Sequence, residues 1–94
     1  MSTTQNIIRK RIRFTGTVQG VGFRYRATYA ANGCGVTGWV RNEWDGSVLM
    51  EAQGTEQQIN QVLKLINMGS YIYIDKLEYE EISVEENALG FHIR

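Results

Sequence analysis

Residues 16–26, GTVQGVGFRYR, place three glycines and two arginines between two different hydrophobic rhythms. Upstream, over residues 7–18, the chain alternates: Ile8, Ile12, Phe14 and Val18 fall on one side, and Arg9, Arg11, Arg13, Thr15 and Thr17 on the other. Period two with one polar side reads as a strand buried on one face. Downstream, Phe23, Ala27, Ala30, Ala31 and Cys34 recur at helical spacing, and the run 32–35 supplies a stop. The glycine stretch is therefore the joint between a strand and a helix, and the fold depends on how the rest of the chain continues from it.

Residues 36–41 and 46–53 read as two strands, joined at Asn42-Glu43-Trp44-Asp45-Gly46, where the Asp-Gly pair marks a hairpin. Thr55-Glu56-Gln57-Gln58 has the form of a capping box. Ile59, Val62, Leu63 and Ile66 then line one face of a helix that ends near Gly69. A strand over residues 74–84 is expected to turn Leu77 and Tyr79 inward, and a short last one over 90–94 carries Phe91 and Ile93. The order βαββαβ with a C-terminal fifth strand predicts an α+β, ferredoxin-like sandwich, an antiparallel sheet with both helices on one face. Right-handed crossovers insert the third strand between the first and second. Those two then run parallel, so the loop after Val18 and the strand end at Asn42 share one edge of the sheet, about 10 Å apart.

With 94 residues, 43% hydrophobic and 21% charged, the chain is expected to form one soluble domain over 1–94, preceded by a flexible tail over residues 1–6. MSTTQNIIRK has no apolar signal region, and no run reaches the length of a membrane span. A lone Cys34 excludes an internal disulfide and fits a reducing compartment, so the cytoplasm is expected. Net charge is zero, which argues against broad nucleic-acid binding. The charge is polarised, however: residues 1–42 hold seven basic and no acidic residues, and 43–94 hold three basic and ten acidic. Cross-strand pairing accounts for Arg9, Lys10, Arg11 and Arg13, but not for Arg24 and Arg26 beyond the strand.

The glycine–arginine loop fits neither nucleotide motif. A Walker A loop needs Lys-Ser/Thr after its last glycine, and the dinucleotide fingerprint needs a third glycine where Gly20-Val21-Gly22 is followed by Phe23-Arg24-Tyr25. Two readings remain. Glycine can turn successive N–H groups toward one point at a helix N-terminus, and Arg24 adds a planar fork for phosphate oxygens. The alternative is a tight strand-to-helix turn with a solvated arginine.

Gly16-Thr17-Val18-Gln19-Gly20-Val21-Gly22-Phe23-Arg24 closely resembles the first signature of the acylphosphatase family. Gly38-Trp39-Val40-Arg41-Asn42, followed by Gly46, Val48 and Gly54, resembles the second. The similarity covers nearly the whole chain. The resemblance implies hydrolysis of acyl phosphates to carboxylate and inorganic phosphate by a monomer, without cofactor or metal. It implies that the loop Gln19, Gly20, Val21, Gly22, Phe23 and Arg24 binds phosphate, that Arg24 anchors it, and that Asn42 positions the attacking water. It also implies that the terminal carboxylate of Arg94 can lie near Arg24 and pair with it when substrate is absent.

Other residues read more plainly. His92 has the outward parity of a surface residue, Cys34 lies on the apolar stripe, Trp39 packs on the sheet, and Arg26 belongs to a solvated helix face. The run Tyr71-Ile72-Tyr73-Ile74 departs from the family, whose members commonly carry proline after Gly69; it is apolar and strand-prone, a candidate contact surface. Two rival functions share the fold: a non-catalytic phosphate-binding module, such as occurs inside larger hydrogenase-maturation proteins, and an RNA-binding module. A free-standing chain with both Arg24 and Asn42 weighs against the first. Residues 46–51, GSVLME, lack the aromatics the second needs.

Overall fold

The computed structural model describes residues 6–94. Apart from Asn6, the expected N-terminal tail lies outside the described residues. Strand β1 (Ile8–Thr17) leads into helix α1 (Phe23–Cys34), followed by β2 (Thr37–Asn42), β3 (Val48–Gly54), α2 (Glu56–Asn67), β4 (Tyr73–Ile82) and β5 (Phe91–Ile93). The sheet order is β4-β1-β3-β2-β5. The third strand thus lies between the first two, as the crossover rule requires, and β1 to β4 pair antiparallel throughout. The fifth strand pairs parallel with β2 and makes the sheet mixed. Its direction has a topological cause: β4 finishes beside Arg9, at the end of the sheet where Thr37 starts β2 opposite Gln53. The connection crosses there, tied by hydrogen bonds between Gln53 and the backbone of Glu85, and β5 enters beside the start of β2.

Local chemistry sets the helix ends. Thr55 Oγ accepts from the N–H of Gln58, and Gln58 Oε1 accepts from the N–H of Thr55, closing the predicted capping box. Helix α1 stops because Gly35 adopts φ 74°, letting its N–H and that of Val36 reach back to carbonyls of the last turn. Between the helices and the sheet, Ile12, Phe14, Phe23, Met50, Ile59, Val62 and Ile66 are buried, each contributing about 1.5–3 kcal/mol of transfer free energy. The Phe14 and Phe23 rings meet edge to face, their centroids 4.8 Å apart, so the first residue of α1 is anchored on β1. No helix among the described residues is long and apolar enough to cross a membrane.

Three expectations need correction. Leu77 and Tyr79 do lie opposite Phe14 and Ile12 and so have inward parity, yet they are 38% and 62% exposed. Strand β4 is the sheet edge, while α1 packs on β2 and β5 and α2 on β3, so β4 lies beyond the helix layer. Arg26 is not a solvated side chain: its Nε donates to the carbonyl of Leu65 at 2.7 Å, tying α1 to the last turn of α2, where a cation is favoured. The YIYI run is only half available as a surface. Ile72 is buried and Ile74 packs against the core, while Tyr71 and Tyr73 are exposed.

On the helix-free face Arg9, Arg11 and Arg13 find acidic partners around a buried centre, whereas Lys10, of the opposite parity, forms no ion pair among the described residues and lies 4.5 Å from the Tyr79 ring centroid. Arg9 is 3% exposed; its Nε and Nη2 each lie 3.0 Å from Glu51 Oε1, and Arg11 donates to Glu51 Oε2 at 2.8 Å. Burial pushes the Glu51 carboxyl up, but hydrogen bonds from Arg11 and Arg9, with their charges, outweigh it and hold the group below its ordinary value of 4.5. A depressed folded-state pKa means that this contribution is present above the unfolded value and lost as pH falls through the folded one. Glu51→Gln is expected to lose about 1.5–3 kcal/mol at pH 7, the scale of a hydrogen bond to a charged group, because Arg9 keeps Gln53 and Glu85 but loses the carboxylate it shares with Arg11. Urea unfolding at a series of pH values below 6 checks the sign: the wild type should weaken more steeply with acid than the variant.

Candidate active site

The site forms where β1 gives way to α1. Beyond Thr15 the β1–β4 register shifts, and Gly16 takes φ 134°, with the carbonyl of Tyr73 where a side chain would be. Val18 and Phe23, both buried, pin the two ends of the loop between them. Inside it Gly20 and Gly22 adopt φ 72° and 80°, and a Cβ at either would meet nothing within 4 Å. Glycine is needed here for backbone conformation, not for packing space. Gly22 is the N-cap of α1, offers no side-chain acceptor, and no acidic residue occupies the first turn. The first N–H groups of the helix therefore keep their donors free at its positive end.

From the parallel-running β2 comes Asn42, the last residue of that strand, opposite Val48. A cavity of about 160 Å³ joins the two strand ends, lined by Val18, Gly20, Gly22, Phe23, Arg24, Tyr25 and Asn42. At about 30 Å³ per water it has room for a phosphoryl group and a nucleophile. The topology inferred from sequence thus brings Arg24 and Asn42 to one hollow. Of the six loop residues expected to bind phosphate, Gly20, Gly22, Phe23 and Arg24 line it. The Val21 side chain packs against the core, and the Gln19 side chain reaches the hairpin, its Nε2 donating to the carbonyls of Glu43 and Ser47 at 2.7 and 2.9 Å.

Two features of this hollow stand apart from the rest of the molecule. Among the described residues, Arg24 is the arginine whose guanidinium meets no carboxylate, carbonyl or ring. Arg9, Arg11, Arg13 and Arg41 are ion-paired, Arg26 is bonded to Leu65, and Arg94 lies 5.1 Å from the Trp39 ring centroid. Asn42 Oδ1 is buried with no donor among the described residues. An unpaired cation and an unsatisfied acceptor border the same small space.

Among the described residues that line the cavity there is no carboxylate and no imidazole. Glu43, next to Asn42 in the chain, is held by Arg41 at 2.9 Å and faces Arg13 at 3.9 Å. Asp45 shapes the hairpin: it accepts from the Ser47 hydroxyl and N–H at 2.6 and 2.9 Å, and these two bonds, in that order, hold its carboxyl below the ordinary range. No cluster of three or more His, Cys, Asp or Glu suited to a metal occurs among the described residues. His92 is exposed, with Nε2 2.8 Å from the Leu89 carbonyl, as its parity suggested. The terminal residue does not behave as expected. The N–H of Arg94 donates to Val40 and its guanidinium lies over Trp39, while no ion pair joins its carboxylate to Arg24 among the described residues.

The family model of acylphosphatase matches residues 10–93. The chain belongs to the acylphosphatase family. A Bifidobacterium longum protein described as an acylphosphatase is 46% identical across all of this chain and 99% of its own length. The crystal structure of acylphosphatase from Bacillus subtilis superposes with a TM-score of 0.85 at 31% identity, covering 93% of this chain and 98% of that one. A full-length HypF in its phosphate- and nucleotide-bound form has a region similar to the whole of this chain, with TM-score 0.82 and 26% identity, which makes up 12% of its length. The acylphosphatase signatures pointed to Arg24 and Asn42. They gave no sign of Tyr25 as a wall, nor of where the Gln19 amide goes.

Proposed function

We propose that this chain hydrolyses the carboxyl–phosphate bond of acyl phosphates, releasing a carboxylate and inorganic phosphate without a metal. Family membership supports the reaction class. The observation that carries the residue roles is the pairing of an unengaged Arg24 with an unsatisfied Asn42 across one cavity. Arg24 and the N–H groups of the 19–24 loop hold the phosphoryl oxygens, and Asn42 Oδ1 accepts a hydrogen bond from the attacking water. The water oxygen bonds to phosphorus as the P–O bond to the acyl group breaks, and its electron pair leaves on the carboxylate. That leaving group has a conjugate acid of pKa about 4, so no general acid is needed. Phosphoryl transfer runs through a loose transition state in which positioning and charge stabilisation dominate. An amide cannot take the water's proton at neutral pH, and no base is among the described residues that line the cavity, so a phosphate oxygen takes it.

All of these groups come from one sheet end of one chain, which supports a monomer as the working unit. A single thiol without a disulfide partner supports the cytoplasm. Purified protein in excess chelator is expected to hydrolyse benzoyl phosphate as fast as in its absence, with no histidine- or carboxylate-like base in the pH–rate profile. Loss of turnover in chelator would overturn the metal-free mechanism. Phosphate binding without any turnover would leave a recognition module.

A further inference from the structure

We infer that Gln19 is a positioning residue: its side-chain amide sets the gap between the phosphate loop and the water held by Asn42. The inference rests on the reaction proposed above. Pairing between β1 and β3 ends at Phe14 and Val48, while from Thr15 to Thr17 strand β1 pairs with β4 alone. The loop and the hairpin that follows Asn42 therefore lie side by side beyond the last rung of the ladder that separates them. Gln19 replaces the missing rungs. Both hydrogens of one amide nitrogen are spent on the two carbonyls that frame the hairpin, Glu43 at 2.7 Å and Ser47 at 2.9 Å. Those same residues close the hairpin, the N–H of Glu43 donating to Ser47 at 2.8 Å, and Glu43 follows Asn42 directly. Moving this brace moves Asn42 relative to Arg24.

The phosphate oxygens are held within the loop and the start of α1, whereas the water is held from β2. Loosening the link between them should disturb attack and leave phosphate affinity almost intact. Misplacing a nucleophile by about 1 Å costs on the order of 100-fold. Gln19→Met keeps the length and removes both donors; kcat for benzoyl phosphate should fall about 10- to 100-fold on that scale, with inhibition by inorganic phosphate within about threefold of wild type. Gln19→Glu turns a carboxylate toward two carbonyls and should be as slow at pH 7. Below its carboxyl pKa it regains one O–H donor, so its rate relative to wild type should climb as pH falls, a limb that a merely structural role would not produce. Wild-type kcat in both variants, or equal losses of kcat and phosphate affinity, would sink the brace. If Gln19→Met fails to fold, the acid limb of Gln19→Glu decides alone. A wild-type chain that turns over nothing would remove the reaction, and the brace with it.

Discussion

Arg24→Ala is expected to lose at least about 1,000-fold in kcat/KM for benzoyl phosphate while its thermal midpoint moves by less than about 3 °C, given how little a surface group without partners contributes to stability. The two halves of this expectation have separate grounds. Among the described residues Arg24 is the arginine that spends none of its donors on the fold, so its removal leaves no buried charge and no orphaned carboxylate there. Its donors are held for the ligand. Removing one donor aimed at developing transition-state charge costs about 2.7–4 kcal/mol, a factor of 100 to 1,000, and Arg24 supplies a fork and a full charge. Inhibition by inorganic phosphate should disappear with activity, because ground state and transition state share the same oxygens. Arg24→Lys keeps the charge but not the planar pair of donors, and should recover only a small part of the loss. The contrast with Arg9 is the control: truncating that arginine should destabilise the fold, since it is buried against Glu51. Should Arg24→Ala keep a tenth of wild-type activity, phosphate is being held elsewhere.

What could be read in the sequence was what neighbours in the chain decide. The alternation of β1, the capping box at Thr55 and the turn at Asp45-Gly46 are local, and the meeting of the loop after Val18 with the strand end at Asn42 followed from connectivity, while the choice of Arg24 and Asn42 as its working residues came from the family resemblance. What escaped depends on partners far along the chain. Arg26 finds the Leu65 carbonyl 39 residues away, and Gln19 finds Ser47 28 residues away; neither contact leaves a periodic trace. Leu77 and Tyr79 have the right parity and the wrong exposure, because parity says which face a side chain takes, not whether a helix covers it. Arg9 shows the converse. A cation on the polar side of an amphipathic strand reads as paired across the strands, not as buried, but two arginines sharing one glutamate, with the 83–90 crossing beside them, bury it.

Asn42→Ala should separate chemistry from binding. We expect kcat to fall at least about 100-fold, the scale attached to a misplaced nucleophile, with phosphate inhibition within about threefold of wild type. Stability should change little. Among the described residues Oδ1 has no donor, so the substitution breaks no bond to it within the fold and costs only the packing of a short side chain. A midpoint shift of less than about 3 °C is expected for a domain of this size. Asn42→Asp is a different experiment. It keeps the shape but sets a carboxylate beside the bound phosphoryl group, so affinity and rate should fall together. A group that the fold can lose without weakening, and the reaction cannot, serves something that the folded chain alone does not contain. If Asn42→Ala instead keeps more than half of its kcat, the water is oriented by another group, and the cavity's unsatisfied oxygen is only a flaw in packing.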